Sequence, residues 1–206
     1  MLTLYYAKGA CSQAPHIILH EAGFDHDSIR VDLKSKQTDR GEDYLSINPK
    51  GAVPALRLEN GEILTENAVV LQYLGDKAGG LLLPAVGNLR RYRMLEWLNF
   101  IATELHKSFG PFFKPSGDET KQFARDLLSS KFDFVEQRLG DHPFLMGEHF
   151  ALPDAYLFVM LGWTRSAGLD LASWPRLKAY RERLEQRPSV RQVLEFEGLV
   201  PAEAAS

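Results

Sequence analysis

A turn that runs straight into a strand sits at Asn48-Pro49-Lys50-Gly51-Ala52-Val53-Pro54-Ala55-Leu56. Gly51 and Pro54 force the chain to bend, and the alternating Ala55-Leu56-Arg57-Leu58 that follows has the pattern of a strand start. The proline holds Val53 extended, because its ring disfavours a helical conformation in the residue before it. A proline entering a strand inside a packed domain is a candidate for a cis peptide, which X–Pro bonds adopt at a cost of roughly 0.5–1 kcal/mol. An extended Val53 can offer its N–H and C=O to the backbone of a small peptide, as sheet edges do. From these residues alone an ordinary structural turn is an equal reading.

On either side of that turn the elements are short. Residues 2–6 are β-prone, and Lys8-Gly9-Ala10-Cys11-Ser12 forms a loop. A helix follows, with Cys11 or Ser12 as its cap, Pro15 in the first turn and Gly23 as its stop. Residues 28–32 form a second strand, and strand–helix–strand order implies a parallel pair with a right-handed crossover. A short helix over 42–47, strands over 55–59 and 62–65 around Asn60-Gly61, and a helix over 66–77 complete the segment. The order βαβ, small helix, ββα is thioredoxin-like.

Beyond Ala78-Gly79-Gly80-Leu81-Leu82-Leu83-Pro84 the strand signals stop. Helices are expected over 89–109, 119–139, 153–167, 176–187 and 190–197, broken at Pro111, Gly140, Pro143, Gly147, Gly168, Pro175 and Pro188. The expected organisation is an α/β domain at 1–78, a linker at 79–86 and an all-α domain at 87–206. The helix near 153 lacks half of a capping box, since Ala151 stands where a hydroxyl residue would cap and Asp154 supplies the acid three residues on.

Composition closes off several classes of function. With 206 residues and 45% hydrophobic content the chain can bury a proper core, and a net charge of −3 provides no footprint for nucleic acid. A single cysteine excludes a disulfide framework and a multi-cysteine zinc site. No apolar run reaches bilayer-spanning length and the start is strand-like, so a cytoplasmic protein with no membrane partner is expected. His16 and His20 stand four apart beside Glu21, but His20-Glu21-Ala22-Gly23-Phe24 lacks the second histidine of a zinc protease motif, and no metal site is expected.

Cys11 lies between the first strand and the first helix, where free N–H groups and the helix dipole draw a thiol from about 8.5 toward neutrality. With no second cysteine it would need an external thiol to resolve a mixed disulfide. A small buried apolar cysteine is the alternative reading.

The chain resembles a cytosolic glutathione transferase of the bacterial beta class over nearly its whole length. The resemblance is carried by Gly9-Ala10-Cys11-Ser12 with Ala14-Pro15-His16-Ile17, by Asp43-Tyr44 through Leu56, by Leu64-Thr65-Glu66-Asn67, by residues 96–107, and by Asp154-Ala155-Tyr156. It implies that Cys11 faces the glutathione sulfur, that Val53 before Pro54 pairs with its cysteinyl unit, and that Glu66 and Asn67 take the γ-glutamyl end. Lys36 would hold the glycyl carboxylate. Asn99 and His106 are seven residues apart, close to two α turns, so one helix face would carry both, and His106 would meet Cys11 or the glutathione thiol. From the residues themselves, Phe109, Phe112 and Phe113 with Trp163 form an apolar cluster near the end of the His106 helix; Phe109, Phe113 and Trp163 are assigned to a hydrophobic co-substrate, with core packing an equal reading and the preferred one for Phe112. Glutathione is then the co-substrate and a small hydrophobic electrophile the acceptor, with thiol–disulfide or peroxidase chemistry at Cys11 as a side activity. A homodimer is also implied. Alternatives are a glutathione-dependent isomerase or dehalogenase, and a non-catalytic binding protein.

Overall fold

Leu2, Leu4 and Tyr6 alternate with Thr3 and Tyr5, and both sets meet packed layers. The computed structural model describes residues 1–80 and 82–199. Its first unit takes in the chain to Leu81 and returns at Gln186; its second is Leu82–Glu185. In the first, β1 (Leu2–Tyr6), α1 (Gln13–Glu21), β2 (His26–Asp32), β3 (Gln37–Thr38), α2 (Tyr44–Ile47), β4 (Ala55–Arg57), β5 (Ile63–Thr65) and α3 (Asn67–Lys77) follow in order. The sheet order is β3-β2-β1-β4-β5. β1 and β2 are parallel, with Leu4 opposite Ser28, and the β4–β5 hairpin runs antiparallel, with Leu56 opposite Leu64. The crossover and the hairpin follow the sequence; β3, two residues pairing Val31 with Thr38, is too short to show in any periodicity.

The two faces of β1 are covered differently. Tyr6 meets His16 of α1 at 5.6 Å between ring centroids, whereas Tyr5 meets Tyr44 of α2 at 5.8 Å. Tyr5 and Tyr44 are fully buried in one cluster with Ile29, Val31, Val53 and Ala55. Each such large apolar side chain contributes roughly 1.5–3 kcal/mol.

One boundary moves. α10 (Pro188–Phe196) belongs to the first unit, against α1, although the sequence assigns 190–197 to the helical domain. Two tethers fix it. Arg187 Nε donates to Glu21 Oε2 at 2.8 Å and Ser189 Oγ to the same oxygen at 2.6 Å. Burial of Glu21 opposes its charge, but Arg187 and Ser189 outweigh it and hold the carboxyl below the usual range. The second tether is Glu197, whose buried carboxylate accepts from Gly9 N at 2.8 Å and Gln13 Nε2 at 3.2 Å. A long-range hydrogen bond of this kind has no sequence signature.

In the second unit, α4 (Leu89–Phe100) runs on through a π-helical stretch at Ile101–Leu105 and a 3₁₀ turn at His106–Phe109 into α5 (Gly110–Phe113). Then come α6 (Asp118–Leu139), α7 (Leu152–Gly162), α8 (Thr164–Ala167), a 3₁₀ turn at Leu171–Ser173 and α9 (Pro175–Glu185). Pro111 sits in the first turn of α5, where it needs no N–H acceptor, and so does not break the helix as expected. Residues 152–161 of α7 are buried all round, the mark of a central helix. At its start the Ala151 N–H donates to Asp154 Oδ2 at 2.7 Å, and Asp154 N bonds the Ala151 carbonyl at 3.0 Å in place of a capping hydroxyl. Leu82 and Leu83 are buried in this unit, so the expected linker is anchored from residue 82; Leu81 and 200–206 lie outside the described residues.

Candidate active site

The loop between β1 and α1 is built by Ser12. Its Oγ accepts from Ala7 N at 3.1 Å and donates to the Ala7 carbonyl at 3.3 Å, so the side chain closes the loop rather than capping α1. This leaves Cys11 facing Val53. Its thiol, 7% exposed, donates to the Val53 carbonyl at 3.2 Å. The N–H groups of Cys11 and Ser12 favour a charged sulfur, yet burial dominates and pushes the thiol up to about 12. The sequence expectation of a near-neutral thiol is thereby corrected: the helix N-terminus acts as expected, but desolvation of a closed site is larger.

The Val53–Pro54 bond is cis, and the turn before it is held from two sides. Tyr44 Oη and Asn48 Nδ2 both donate to the Ala52 carbonyl at 2.8 Å. Asn48, 3% exposed, also accepts from Lys50 N at 3.2 Å through its side chain. Tyr44 and Asn48 are positioning residues that the sequence reading did not single out as such; both lie in the stretch it quoted. Burial raises the Tyr44 phenol to about 12.

Among the described residues two non-glycine positions have positive φ, Lys36 at 59° and Glu66 at 71°. Such conformations cost on the order of 1–3 kcal/mol and persist where surrounding structure imposes them. Lys36 N bonds the Asp32 carbonyl at 2.8 Å and Tyr44 N the Lys36 carbonyl at 2.9 Å, which presents Lys36 Nζ to the Gly51 carbonyl at 2.7 Å. Glu66 precedes α3 with an exposed side chain that pairs with Lys50. Asn67, 7% exposed, opens the helix, and neither Nδ2 nor Oδ1 has a hydrogen-bond partner among the described residues. The first N–H groups of α3 have no intrahelical acceptor and carry the positive end of its dipole. An anion is favoured there, with a buried amide beside it. Cys11, Val53, Pro54, Lys36, Glu66 and Asn67 thus all belong to one unit.

The remaining named residues lie in the second unit. The π-helical stretch takes extra residues into its turn, so Asn99 and His106 are no longer two α turns apart and their expected common face is lost. Asn99 is exposed, while His106 is half-buried. His106 Nδ1 lies 2.6 Å from Tyr156 Oη, its ring stands edge-on to Trp163 at 5.0 Å, and burial lowers its pKa. Tyr156 is therefore a partner of His106 that spacing could not reveal. Phe109 is fully buried, so of its two readings core packing holds, and its assignment to a substrate is corrected. Phe113 is 52% exposed and packs on half-buried Trp163 at 4.8 Å, so these two remain available. Phe112, expected in the core, is half-buried under the Arg125 guanidinium at 5.7 Å.

The raised thiol and phenol give a pH dependence. Neutral Cys11 and Tyr44 are favoured in the folded state, so their contribution is complete below the unfolded values of 9.0 and 10.0 and is lost as pH rises through about 12. The urea midpoint is expected to fall as pH passes above 9, and Cys11→Ala to flatten the first part of that fall. Alkylation of Cys11 in the folded protein should be slow at neutral pH. Rapid neutral alkylation would contradict a buried, protonated thiol.

Two family profiles match the chain: "Glutathione S-transferase, N-terminal domain" over residues 9–77 and "Glutathione S-transferase, C-terminal domain" over residues 96–183. "Glutathione S-transferase GstA" of Escherichia coli O157:H7 is 42% identical over 200 residues, 96% of this chain and 100% of that protein. A sphingomonad glutathione S-transferase solved with glutathione is 43% identical, with a TM-score of 0.91 over 96% of this chain and 100% of that one. The beta-class enzyme of Sphingomonas chungbukensis is 44% identical, with a TM-score of 0.92 at the same coverage, 96% and 100%.

Proposed function

The chain belongs to the glutathione S-transferase family, with beta-class relatives, and on that premise we propose that it conjugates reduced glutathione to small hydrophobic electrophiles, a cytoplasmic detoxification chemistry. The observation that carries the reading is the coincidence of strain and assignment: the two positive-φ non-glycine residues, Lys36 and Glu66, are both residues the resemblance gives to glutathione. Lys36 Nζ holds the glycyl carboxylate. The N–H groups of Glu66 and Asn67 take the γ-glutamyl carboxylate at the start of α3, and the Glu66 side chain exchanges Lys50 for the ligand's ammonium. Val53, before Pro54, pairs its backbone with the cysteinyl unit. Asn99 and His106 are assigned to glutathione on the resemblance, and the packed aromatic pair Phe113 and Trp163 to the electrophile. The protein works as a homodimer.

The mechanism follows from the protonated state of Cys11. Glutathione is bound as its thiolate, which attacks the electrophile, and Cys11 S–H is a donor that stabilises this anion. Disulfide exchange needs a Cys11 thiolate instead, which attacks oxidised glutathione and releases one glutathione thiolate. Burial makes that the minor activity.

Titration calorimetry with reduced glutathione and a conjugation assay with a chloronitrobenzene test the proposal. Saturable binding and turnover are expected, and Lys36→Met should weaken binding by about tenfold or more, the worth of one charge-assisted hydrogen bond at roughly 1.5–3 kcal/mol. Cys11→Ala should retain conjugation at a reduced rate and lose the reversible glutathionyl adduct that intact-protein mass detects after oxidised glutathione. Absence of glutathione binding would leave the non-catalytic reading.

A further inference from the structure

We propose that His16, His20 and His26 form a binding site for one divalent transition-metal ion of the zinc class. The inference does not rest on the glutathione reading. The sequence reading sets a metal aside because His20-Glu21-Ala22-Gly23-Phe24 lacks the second histidine of a zinc protease motif, although His16 and His20 are suitably spaced. The fold supplies the third imidazole from the start of β2, so that ligating atoms of all three lie within 4.8 Å of one another. Their ring centroids are 5.2 Å apart for His16 and His20, 5.6 Å for His16 and His26, and 5.0 Å for His20 and His26.

The protons are already arranged for ligation. His26 Nδ1 faces the Phe24 carbonyl at 2.8 Å, and a carbonyl only accepts, so Nδ1 carries the hydrogen and a neutral ring presents the Nε2 lone pair. His16 Nδ1 faces the Glu197 carboxylate at 3.5 Å, which leaves its Nε2 to accept, here from Ser28 Oγ at 3.3 Å. A carbonyl and a carboxylate behind two imidazoles are the outer partners that orient metal-binding histidines. His20 has no hydrogen-bond partner among the described residues, so neither of its ring nitrogens is engaged and either can turn toward an ion.

Ligand chemistry narrows the ion. Three imidazoles without a coordinating carboxylate suit zinc, nickel or copper and not magnesium or calcium. At a metal–nitrogen distance of about 2.0–2.1 Å, tetrahedral nitrogens stand roughly 3.4 Å apart, so side-chain rotations must draw the rings in by about an ångström. His20 and His26 are half-buried, which gives an ion entry from solvent, and a water takes the fourth position. The bound ion would tie α1 to β2 and, through Glu197, to the segment after α10 that holds Gly9.

The test uses untagged, chelator-stripped protein in a Cys11→Ala background, which removes the thiol as a ligand. Calorimetry with zinc chloride is expected to show one ion per chain, with a rise in melting temperature. Cobalt chloride should give ligand-field absorption without sulfur charge transfer. His20→Gln and His26→Gln should each weaken binding at least tenfold while the melting temperature in chelator stays near that of the parent. Zinc should also protect His20 and His26 from diethyl pyrocarbonate, read by peptide mass, a measurement that needs no histidine variant to fold. Stoichiometric binding indifferent to both variants, no binding, or zinc that leaves His20 and His26 as reactive as before would overturn the site.

Discussion

Asp154→Ala is expected to lower the stability of the helical unit by about 3–5 kcal/mol, the range for removing one partner of a buried charged group. The carboxylate is fully buried at the start of α7. Oδ1 accepts from Leu145 N at 2.8 Å and Tyr180 Oη at 2.7 Å, and Oδ2 accepts from Ala151 N at 2.7 Å. Alanine leaves the Ala151 N–H and the Tyr180 hydroxyl without this acceptor in the interior, and the Leu145 N–H in a part-buried place, each costing about 1–3 kcal/mol when unpaired and buried. Because α7 is buried on every side, its first turn cannot swing out to recover those bonds from water. At roughly 2–4 °C per kcal/mol for a chain of this size, the melting temperature should fall by about 10 °C. Asp154→Asn tests the account: its amide can accept at one oxygen only and should lie between the two. Equal melting temperatures for wild type and Asp154→Ala would mean that Leu145, Ala151 and Tyr180 find other acceptors.

Asp154 also shows how legibility divides. Its place in a helix start was readable, since Pro153 and Asp154 follow a break; its bonds to Leu145 and Tyr180 were not, because nothing local encodes a partner 26 residues away. The strand after Pro54 and the hairpin at Asn60-Gly61 follow from turn chemistry, where local geometry has few solutions, whereas the sheet order with β3 at its edge does not. Cys11 lies where the sequence puts it, between the first strand and the first helix, but its ionisation differs, because the helix N-terminus is a local effect whereas burial comes from residues distant in the chain, Val53 among them. The shared face expected of Asn99 and His106 fails for a related reason: a π-helical stretch between them leaves no period in the residues. His26 is the reverse case, a residue with no role in sequence that the parallel β1–β2 pairing carries to His16 and His20. The resemblance names Lys36 and Glu66 as ligands; their positive φ is invisible in sequence, because it is imposed by the surrounding structure rather than by the residue types.

Asn67→Leu is expected to move stability and binding in opposite directions. In the free protein Asn67 buries an amide whose two polar atoms have no partner among the described residues. Leucine has the same branched skeleton, with methyl groups larger than the amide's oxygen and nitrogen, and no polar group to desolvate, so where the site admits the methyls the substitution should raise stability by about 1–3 kcal/mol. Its position at the start of α3 tolerates leucine, which is a better helix former than asparagine. Glutathione binding should suffer. On the proposed function, an amide beside the first N–H groups of α3 would supply a hydrogen bond to a charged end of the ligand, worth roughly 1.5–3 kcal/mol and hence about ten- to a hundredfold in affinity. A thermal scan and a glutathione titration on the same preparation read both signs. A purely structural asparagine predicts a different pair, lower or unchanged stability with unchanged affinity, and that result would remove Asn67 from the site. A gain in stability with weakened binding would identify the unpaired amide as an interaction held in reserve for the ligand, at a cost in the empty enzyme that binding repays.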